Sequence, residues 1–294
     1  MEKLTQPQQG LRFIDVHCHV PYPHDNKSVP APEKQLKNFI ESGGIAMITS
    51  SIDLVTLYIM SEFARKHDSV YYYVGWAPQT VTYSHPKEYE KEREKWLEFV
   101  KSNDDYLAIG EIGLDFHHAK TLEKRNKQIE ELKWVFENTK ALNKPYVFHL
   151  RNPSSNDIDW QNPNHEYNAS NAANKILMEL LQENSINHKK CMLHCFSGPE
   201  ADALTFTKLG CTLSVPSSAW GHKRWRKNTK NVSVDYLVTE TDSPYQHFQE
   251  MVPINEPKNV IYSIAAIAHS HDLTQEEVAE KTIRNAENFF GKKF

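Results

Sequence analysis

Eight short apolar runs, each followed by polar residues, constrain the fold of this chain more than any other feature. They occupy residues 11–16, 44–50, 70–76, 106–112, 145–150, 190–196, 211–215 and 236–241. Longer segments between them, such as 88–101, 122–142 and 172–184, carry apolar residues at three- and four-residue intervals and predict amphipathic helices. Almost continuously apolar strands that alternate with helices are typical of a parallel sheet covered by helices. Eight such units in 294 residues predict an α/β fold of the (β/α)8 TIM-barrel type, with residues 1–294 as a single domain.

Residues 152–170 break this alternation. They are rich in Asn, Pro, Ser and Asp, and they delay the helix expected after the fifth strand. We interpret them as a loop insertion after strand 5, at the carboxyl end of the barrel. A mobile surface excursion and a lid that shapes the substrate site are both open interpretations at this point. Residues 257–271 and 274–290 predict two closing helices, the second of which starts at a capping box formed by Thr274 and Glu277.

The first predicted strand ends in the sequence Asp15-Val16-His17-Cys18-His19. Because residues two apart in an extended chain point to the same face, His17 and His19 are directed together. Two imidazoles at the end of a barrel strand predict part of a divalent-metal site. Unrelated surface histidines also occur in such pairs, so this interpretation depends on what the other strands carry.

Four later strands each end in a further candidate ligand. These are Glu111, His149, His194 and Asp242. Since the carboxyl ends of barrel strands converge on one face, the side chains are expected to meet there. Any one of them could instead be a hydrogen-bonded core residue, but this alternative does not account for the whole set. We therefore predict a metal centre made of His17, His19, Glu111, His149, His194 and Asp242.

The net charge narrows the functional classes. A net charge of −4 and a pI of about 6.4 argue against a protein that coats nucleic acid through a global positive field. They are compatible with a phosphodiester substrate, because bound cations bring the positive charge that a phosphate needs.

Features that the sequence lacks indicate where in the cell the protein acts. No apolar run approaches the roughly 18–20 residues that span a bilayer, and residues 1–10 lack the features of a secretory signal. The four cysteines include no CxxC pair. We expect a cytoplasmic protein with free thiols, no membrane association and no obligate protein partner.

Six motifs follow one another along residues 13–260: FIDVHCH, GEIGLD, PYVFHLR, MLHCFSG, ETDSPY and INEPKNV. Together they resemble the TatD family of metal-dependent deoxyribonucleases, within the wider group of amidohydrolase-like barrels. The resemblance implies two divalent metal ions, Mg²⁺ or Mn²⁺ in the active enzyme and Zn²⁺ or Ni²⁺ in purified protein. It assigns His17, His19 and Asp242 to one ion, His149 and His194 to the other, and Glu111 to both as a bridge. It also implies DNA, as single strands or frayed ends, as the substrate.

Three residues receive expected roles in catalysis and substrate binding. Asp242 is the preferred group to orient the nucleophilic water and take its proton. The two oxygens of Glu111 can bind separate cations, which suits a bridging carboxylate. Arg151 lies two residues after His149 and is expected to face the same way, where its planar fork suits a phosphate. Pairing with a local carboxylate is the alternative for Arg151.

Other candidates for substrate binding lie on two loops. Asp115 and His117 follow the bridging carboxylate and are candidates for contact with substrate, for support of the metal ligands, or for a structural role in their loop. Residues 220–230, WGHKRWRKNTK, include Lys223 and Arg224 among six basic residues and two tryptophans. This mixture could contact backbone phosphates and stack bases, or it could be a solvated basic loop.

Two positions depart from the family pattern. Where the family usually has Gly-x-His-Pro, this chain has Gly75-Trp76-Ala77-Pro78, and an Arg often seen before the last motif is Ile254. Neither change removes a metal ligand, but both alter the expected surroundings of the substrate.

A deoxyribonuclease that acts as a metal-dependent phosphodiesterase is the favoured function. An ester or amide hydrolase, for example a deacylase, would use the same metals to polarise a carbonyl group. A barrel that has lost catalysis and serves as a metal-binding scaffold is a third interpretation. The complete ligand set disfavours it.

Overall fold

The computed structural model describes residues 4, 6–22, 29–84, 86–246 and 254–294. Within them, strands and helices alternate as the sequence predicts. The strands are β1 (Phe13–Cys18), β2 (Gly44–Ser50), β3 (Val70–Tyr73), β4 (Ile109–Asp115), β5 (Tyr146–Arg151), β6 (Cys191–Leu193), β7 (Thr212–Pro216) and β8 (Leu237–Glu240). The helices are α1 (Pro32–Glu41), α2 (Leu54–Lys66), α3 (Pro78–Tyr83), α4 (Pro86–Ser102), α5 (Leu122–Thr139), α6 (Ala172–Glu183), α7 (Glu200–Leu209), α8 (Lys223–Thr229), α9 (Val260–His271) and α10 (Gln275–Phe290). None of these helices is both long and apolar enough to cross a membrane.

The strands are parallel and form the predicted barrel. Ladder hydrogen bonds join β1, β2 and β3 in one group and β4 to β8, in order, in another. Hydrogen bonds also connect the groups at both seams. Between β3 and β4, the Gly110 N–H donates to the Val74 carbonyl at 2.8 Å, and between β8 and β1 the Asp242 N–H donates to the His17 carbonyl at 2.9 Å. The fold is therefore the (β/α)8 type that the alternation of apolar runs and helices predicts.

An apolar cluster drawn from six of the eight strands, with Ala108 just before β4, fills the barrel. It includes Ile14, Val16, Ala46, Ile48, Tyr73, Ala108, Val147, Met192 and Val238, with Phe289 and Phe290 of α10 packed against it. A second, larger cluster lies between the strands and the surrounding helices. Tyr73 links the apolar interior to the polar end of the barrel, because its ring belongs to the cluster and its hydroxyl lies 3.0 Å from Nδ1 of His17.

The insertion after β5 is confirmed, and it packs against α5. Arg125, a fully buried side chain of α5, donates to Oδ1 of Asn168 at 2.7 Å and to the Asp157 carbonyl. Asp159 accepts from the Leu122 N–H at 2.8 Å and so satisfies a free donor in the first turn of α5. These contacts hold the insertion in a defined position at the carboxyl end of the barrel.

Candidate metal centre

The structure brings all six predicted ligands together at the carboxyl ends of the strands. Five of them are buried, namely His17, His19, Glu111, His194 and Asp242, and the side chain of His149 is 17% exposed. Their nitrogen and oxygen atoms face one another across distances of a few ångströms. Such a convergence of buried imidazoles and carboxylates is unfavourable unless protons or cations lie among them.

The first group of donor atoms has the spacing of a single cation site. Nε2 of His17 and Nε2 of His19 lie 3.2 Å apart, and Oδ1 of Asp242 lies 3.5 and 3.3 Å from them. Oε2 of Glu111 is 3.6 and 3.7 Å from the same two nitrogens. Ligand atoms about 2.1 Å from a cation are separated by about 3.4 Å in a tetrahedral arrangement. These four side chains therefore fit one divalent cation.

A second group lies on the other side of Glu111. Oε1 of Glu111 is 2.6 Å from Nδ1 of His149 and 3.4 Å from Nε2 of His194, and those two nitrogens are 3.3 Å apart. Glu111 thus faces each group with a different oxygen, which is the arrangement expected of a bridging carboxylate. His17, His194 and Glu240 form a further, overlapping set, but it shares an imidazole with each of the two groups.

The histidines of the first group are held by neutral oxygens. Tyr73 donates its hydroxyl proton to the Val16 carbonyl, so its oxygen accepts from Nδ1 of His17 at 3.0 Å. Nδ1 of His19 donates to the Ser50 carbonyl at 2.9 Å. With Nδ1 protonated in both rings, Nε2 keeps its lone pair for a metal.

The histidines of the second group are backed by carboxylates. Nε2 of His149 lies 3.0 Å from Oδ2 of Asp115, and Nδ1 of His194 lies 3.7 Å from Oε2 of Glu240. Burial disfavours the charged form of His149, but hydrogen bonds to Asp115 and Glu111 raise its pKa to about 9. Asp115 is close enough to hydrogen-bond His149, which fixes the orientation of the ring and makes it a stronger donor to a metal. Glu240 lies beyond hydrogen-bond distance of His194 and favours the same effect through its charge alone.

Glu111 and Asp242, the two carboxylates among the predicted ligands, are ionised at neutral pH. Burial opposes ionisation of Glu111, but the charge of His194 and hydrogen bonds to His149 and His194 hold its pKa well below the usual value. Burial likewise opposes ionisation of Asp242, and hydrogen bonds to the two histidines of the first group lower its pKa. Negative charge in a buried, imidazole-lined site suits a divalent cation, so the residues present fit the metals that the sequence implies.

The position of Asp242 depends on a braced loop. Its backbone is left-handed, with φ of 55°, a conformation that Asp tolerates better than most residues. The buried carboxylate of Asp15 accepts from the backbone N–H of the neighbouring Thr241 at 3.0 Å, and Asn255 donates to the Thr241 carbonyl at 2.8 Å. These contacts tie the residue before Asp242 to β1 and to the segment that precedes α9.

The carboxylates behind the second group lead to a prediction about metal affinity. Asp115→Asn and Glu240→Gln should each weaken the binding of Zn²⁺ by His149 and His194 about 10- to 100-fold, because they keep the size of the side chain but remove the charge that makes the imidazole a strong donor. Competition with a chromogenic chelator would measure this affinity. Asp53→Asn, at the N-cap of α2, is the matched control because Asn caps as well as Asp. Wild-type affinity in both site variants would contradict this role for the carboxylates.

Asp115 is the last residue of β4 and not part of a loop as the sequence predicts, whereas His117 lies beyond the end of the strand. Asp115 is fully buried, so of the roles expected for it the structure favours support of His149 over direct contact with substrate. His117 pairs through Nδ1 with Asp157 of the insertion at 2.8 Å. Within this structure both residues therefore contact protein groups.

Arg151 and Arg224 are exposed and line one cavity of about 590 Å³. The cavity is also lined by Leu150, which follows His149, and by Phe196, which lies two residues after His194, but none of the six candidate ligands lines it. Lys223 is exposed as well, but it lines a smaller neighbouring cavity of about 170 Å³. The described residues place no carboxylate within ion-pair distance of Arg151, so the alternative of a local ion pair finds no support there.

The structure does not favour the stacking role considered for the tryptophans of residues 220–230. Trp220 and Trp225 are only 7% and 9% exposed, since Trp220 ends a short 3-10 turn at residues 217–220 and Trp225 lies on the inner side of α8. Most of each indole ring is packed against protein, and Trp225 also lines the cavity that contains Arg151 and Arg224.

Four groups that support the centre were missed by the sequence interpretation. A sequence pattern did indicate Glu240. It lies two residues before Asp242 in the ETDSPY motif, the same spacing that places His17 and His19 together. No pattern indicated Tyr73 or Gln79, which reach the site from other elements, Gln79 by donating to Asp115 at 2.8 Å. The fourth is a backbone carbonyl, that of Ser50, which no sequence pattern reveals.

Known proteins resemble this chain over almost its whole length. An uncharacterized metal-dependent hydrolase of Methanocaldococcus jannaschii is 27% identical, with 96% of this chain and 98% of the relative covered. Deoxyribonuclease TATDN3 of Homo sapiens is also 27% identical, with 96% of each chain covered.

Solved structures show the same fold. A TatD family hydrolase from Entamoeba histolytica superposes with a TM-score of 0.77 at 18% identity, covering 96% of this chain and 99% of the other. The TatD homologue YJJV of Escherichia coli K12 gives a TM-score of 0.74 at 20% identity, covering 96% and 98%. The family model for TatD related DNase matches residues 14–291, which include all six candidate ligands. The chain therefore belongs to the TatD related DNase family.

Proposed function

We propose that this protein is a divalent-metal-dependent phosphodiesterase that trims single-stranded or frayed DNA ends. The observation that carries the proposal is the pair of donor groups that share Glu111, with Arg151 exposed two residues beyond His149 at the end of β5. The name of the human relative, a deoxyribonuclease, supports the choice of DNA.

The centre would hold two divalent cations. One would be bound by His17, His19 and Asp242, the other by His149 and His194, and both by Glu111. Mg²⁺ or Mn²⁺ would serve in the active enzyme, and Zn²⁺ or Ni²⁺ could occupy the same ligands in purified protein. Bound there, the cations would polarise a phosphodiester oxygen, acidify a water and stabilise the leaving oxygen.

Asp242 would act on the attacking water. Its carboxylate is ionised, lies at the edge of the first donor group, and is 7% exposed. In this position it would accept a hydrogen bond from the water, align the oxygen for attack on phosphorus, and take the proton as the new P–O bond forms and the bond from phosphorus to the leaving ester oxygen breaks. Glu111 keeps both donor groups at a fixed separation.

Arg151 would bind the phosphate that is cleaved or its neighbour. Its guanidinium is exposed and lies at the end of β5, two residues beyond His149. A planar fork with several donors suits the paired oxygens of a phosphodiester better than the single oxygen of a carbonyl. This favours a phosphodiester over the ester or amide substrates of the alternative interpretation.

Cleavage of end-labelled single-stranded DNA tests the proposal. Chelator-stripped protein should be inactive, and addition of Mg²⁺ or Mn²⁺ should restore a ladder of shortened products. Failure to cut DNA by protein shown to bind two metals would contradict the proposal and favour ester or amide substrates.

Replacement of Arg151 should separate substrate binding from metal binding. Arg151→Ala should lower kcat/KM for DNA about 10- to 100-fold, since a hydrogen bond to a charged group contributes about 1.5–3 kcal/mol. Arg151→Lys should recover part of the loss, and Arg284→Ala, which removes an exposed arginine on α10, should have no effect. Metal content measured by mass spectrometry should stay unchanged. Loss of metal in parallel with activity would instead make Arg151 a scaffold residue.

We also propose that the protein acts in the cytoplasm. Its four cysteines are free in the structure, and thiols stay reduced in that compartment.

A further inference from the structure

We propose that α8 forms a binding surface for the sugar-phosphate backbone of DNA beyond the metal centre. The surface, termed here the basic ridge, consists of Lys223, Arg224, Lys227 and Lys230. The inference rests on the proposed function and deepens it, because it identifies the substrate as a polynucleotide with several phosphates and not as a small phosphate ester.

The basic ridge concentrates positive charge in a chain that is acidic overall. Residues 223–230, KRWRKNTK, contain five Lys or Arg residues and no Asp or Glu, whereas the net charge of the chain is −4. The four ridge residues are exposed, and the described part of the chain places no carboxylate within ion-pair distance of any of them. Other surface lysines do have such partners, for example Lys175 with Glu166 at 3.3 Å. Unpaired like charges on adjacent turns repel one another, so the ridge is better explained by an anionic ligand than by stability.

The helix that carries the ridge is fixed to the protein. Trp225 is buried on its inner side, and Arg226 donates to the Ala219 carbonyl at 3.2 Å. Asn228 donates to the Gly198 carbonyl at 2.7 Å and so fastens α8 to the loop that follows β6. Because the inner side is anchored, the backbone that carries the outer cations is fixed relative to the loop that follows β6.

The ridge continues from the substrate cavity to a second concavity. Arg224 shares the cavity of about 590 Å³ with Arg151, which lies two residues beyond His149 on β5. Lys223, Lys227 and Lys230 line the separate cavity of about 170 Å³ between α8 and α9. A strand whose terminal phosphate lies at Arg151 would thus meet further cations as it leaves the metal centre, as expected for a protein that follows a polyanionic backbone.

The ridge favours DNA over an anionic membrane as its ligand. Its aromatic side chain, Trp225, is only 9% exposed and lines the cavity beside Arg151, so it does not project from the surface to enter a bilayer. Its cations begin with Arg224 in the same cavity as Arg151, which lies two residues beyond His149. A membrane-binding helix would be expected to present apolar residues beside its cations.

A double variant tests the ridge against a matched control. Lys223→Ala/Lys227→Ala removes two ridge charges four residues apart, and Lys91→Ala/Lys95→Ala removes two exposed lysines with the same spacing on α4. Binding of metal-loaded protein to phosphorothioate-linked dT15, which resists cleavage, would be measured by fluorescence anisotropy at several NaCl concentrations. The kcat/KM values for dT15 and for a thymidine dinucleotide would be measured in parallel.

The ridge variant should bind phosphorothioate dT15 about 10-fold more weakly at 0.1 M NaCl. Its plot of log K against log[NaCl] should be shallower by about 1.4, since each phosphate contact with a single strand contributes about 0.7. The ratio of kcat/KM for dT15 to that for the dinucleotide should fall about 10-fold, and the α4 control should match wild type on every measure.

The outcomes separate this inference from the proposed function. If wild type cleaves dT15 and the ridge variant behaves like the α4 control, the role of the ridge is overturned. The proposed nuclease activity would then stand. Ridge-dependent, salt-sensitive binding of dT15 without cleavage would support the ridge and count against the nuclease. Ridge-dependent binding to phosphatidylserine vesicles, with no effect on dT15, would overturn the assignment to DNA.

Discussion

Glu111→Ala should lower metal-dependent turnover by on the order of 10³-fold or more, because a catalytic metal supplies several kcal/mol of transition-state stabilisation. The two oxygens of Glu111 face different donor groups, so its removal affects both cation sites at once. We expect metal content to fall from two ions per chain to one or fewer. Mass spectrometry of metals and kcat for end-labelled DNA would measure the two effects on one preparation.

Glu131→Ala is the control for removal of a buried carboxylate. Glu131 is 6% exposed, comparable with the 4% of Glu111, and pairs with Arg93 at 3.1 Å on the outer side of the barrel. Its loss should reduce thermal stability but leave metal content and turnover close to wild type. Circular dichroism would show whether the Glu111 variant is folded. Full activity in folded Glu111→Ala protein would remove this residue as the bridge.

The barrel could be predicted from the sequence because its strands are apolar on both faces. Runs such as those at 44–50 and 145–150 are recognisable without any knowledge of their neighbours. Parallel strands all point the same way, so their ends must meet on one face, and His17, His149 and Asp242 could be placed together by counting strand ends alone. At these positions the local apolar pattern and the arrangement of strands in the barrel lead to the same prediction.

The groups behind the ligands could not be predicted in the same way. Tyr73 and Gln79 meet the metal centre through contacts between elements distant in sequence, and nothing distinguishes their own segments. The burial of Trp225 could not be predicted for a related reason, since a helix of seven residues is too short for its pattern to reveal which side is buried. The residue behind each imidazole is determined by how elements distant in sequence pack together, and no local sequence pattern reveals it.

This difference has a consequence for the two donor groups. The histidines of β1 are backed by Tyr73 and the Ser50 carbonyl, both neutral, whereas His149 and His194 are backed by carboxylates. The second group therefore offers the more basic imidazoles, and the first relies on Asp242 for its own negative charge. A substitution at Asp242 should accordingly disturb the first group and leave the second in place.

Asp242→Asn should lower kcat for DNA by about 10²- to 10⁴-fold, the range attributed to a general base. The amide has the size of the carboxylate and one oxygen that can still ligate a metal, but it cannot take a proton from water at neutral pH.

Metal analysis distinguishes the Asp242 variant from Glu111→Ala. Asp242→Asn should keep at least the ion bound by His149, His194 and Glu111, whose donor atoms it does not touch. Asp157→Asn, which alters a carboxylate that is 1% exposed and pairs with His117, is the control and should retain near wild-type kcat. Turnover within a few-fold of wild type in Asp242→Asn, at full metal loading, would move the proton-accepting role to another group. Loss of both ions would show that Asp242 acts chiefly as a ligand. A residue that served only as a base would leave the ion of the second group bound.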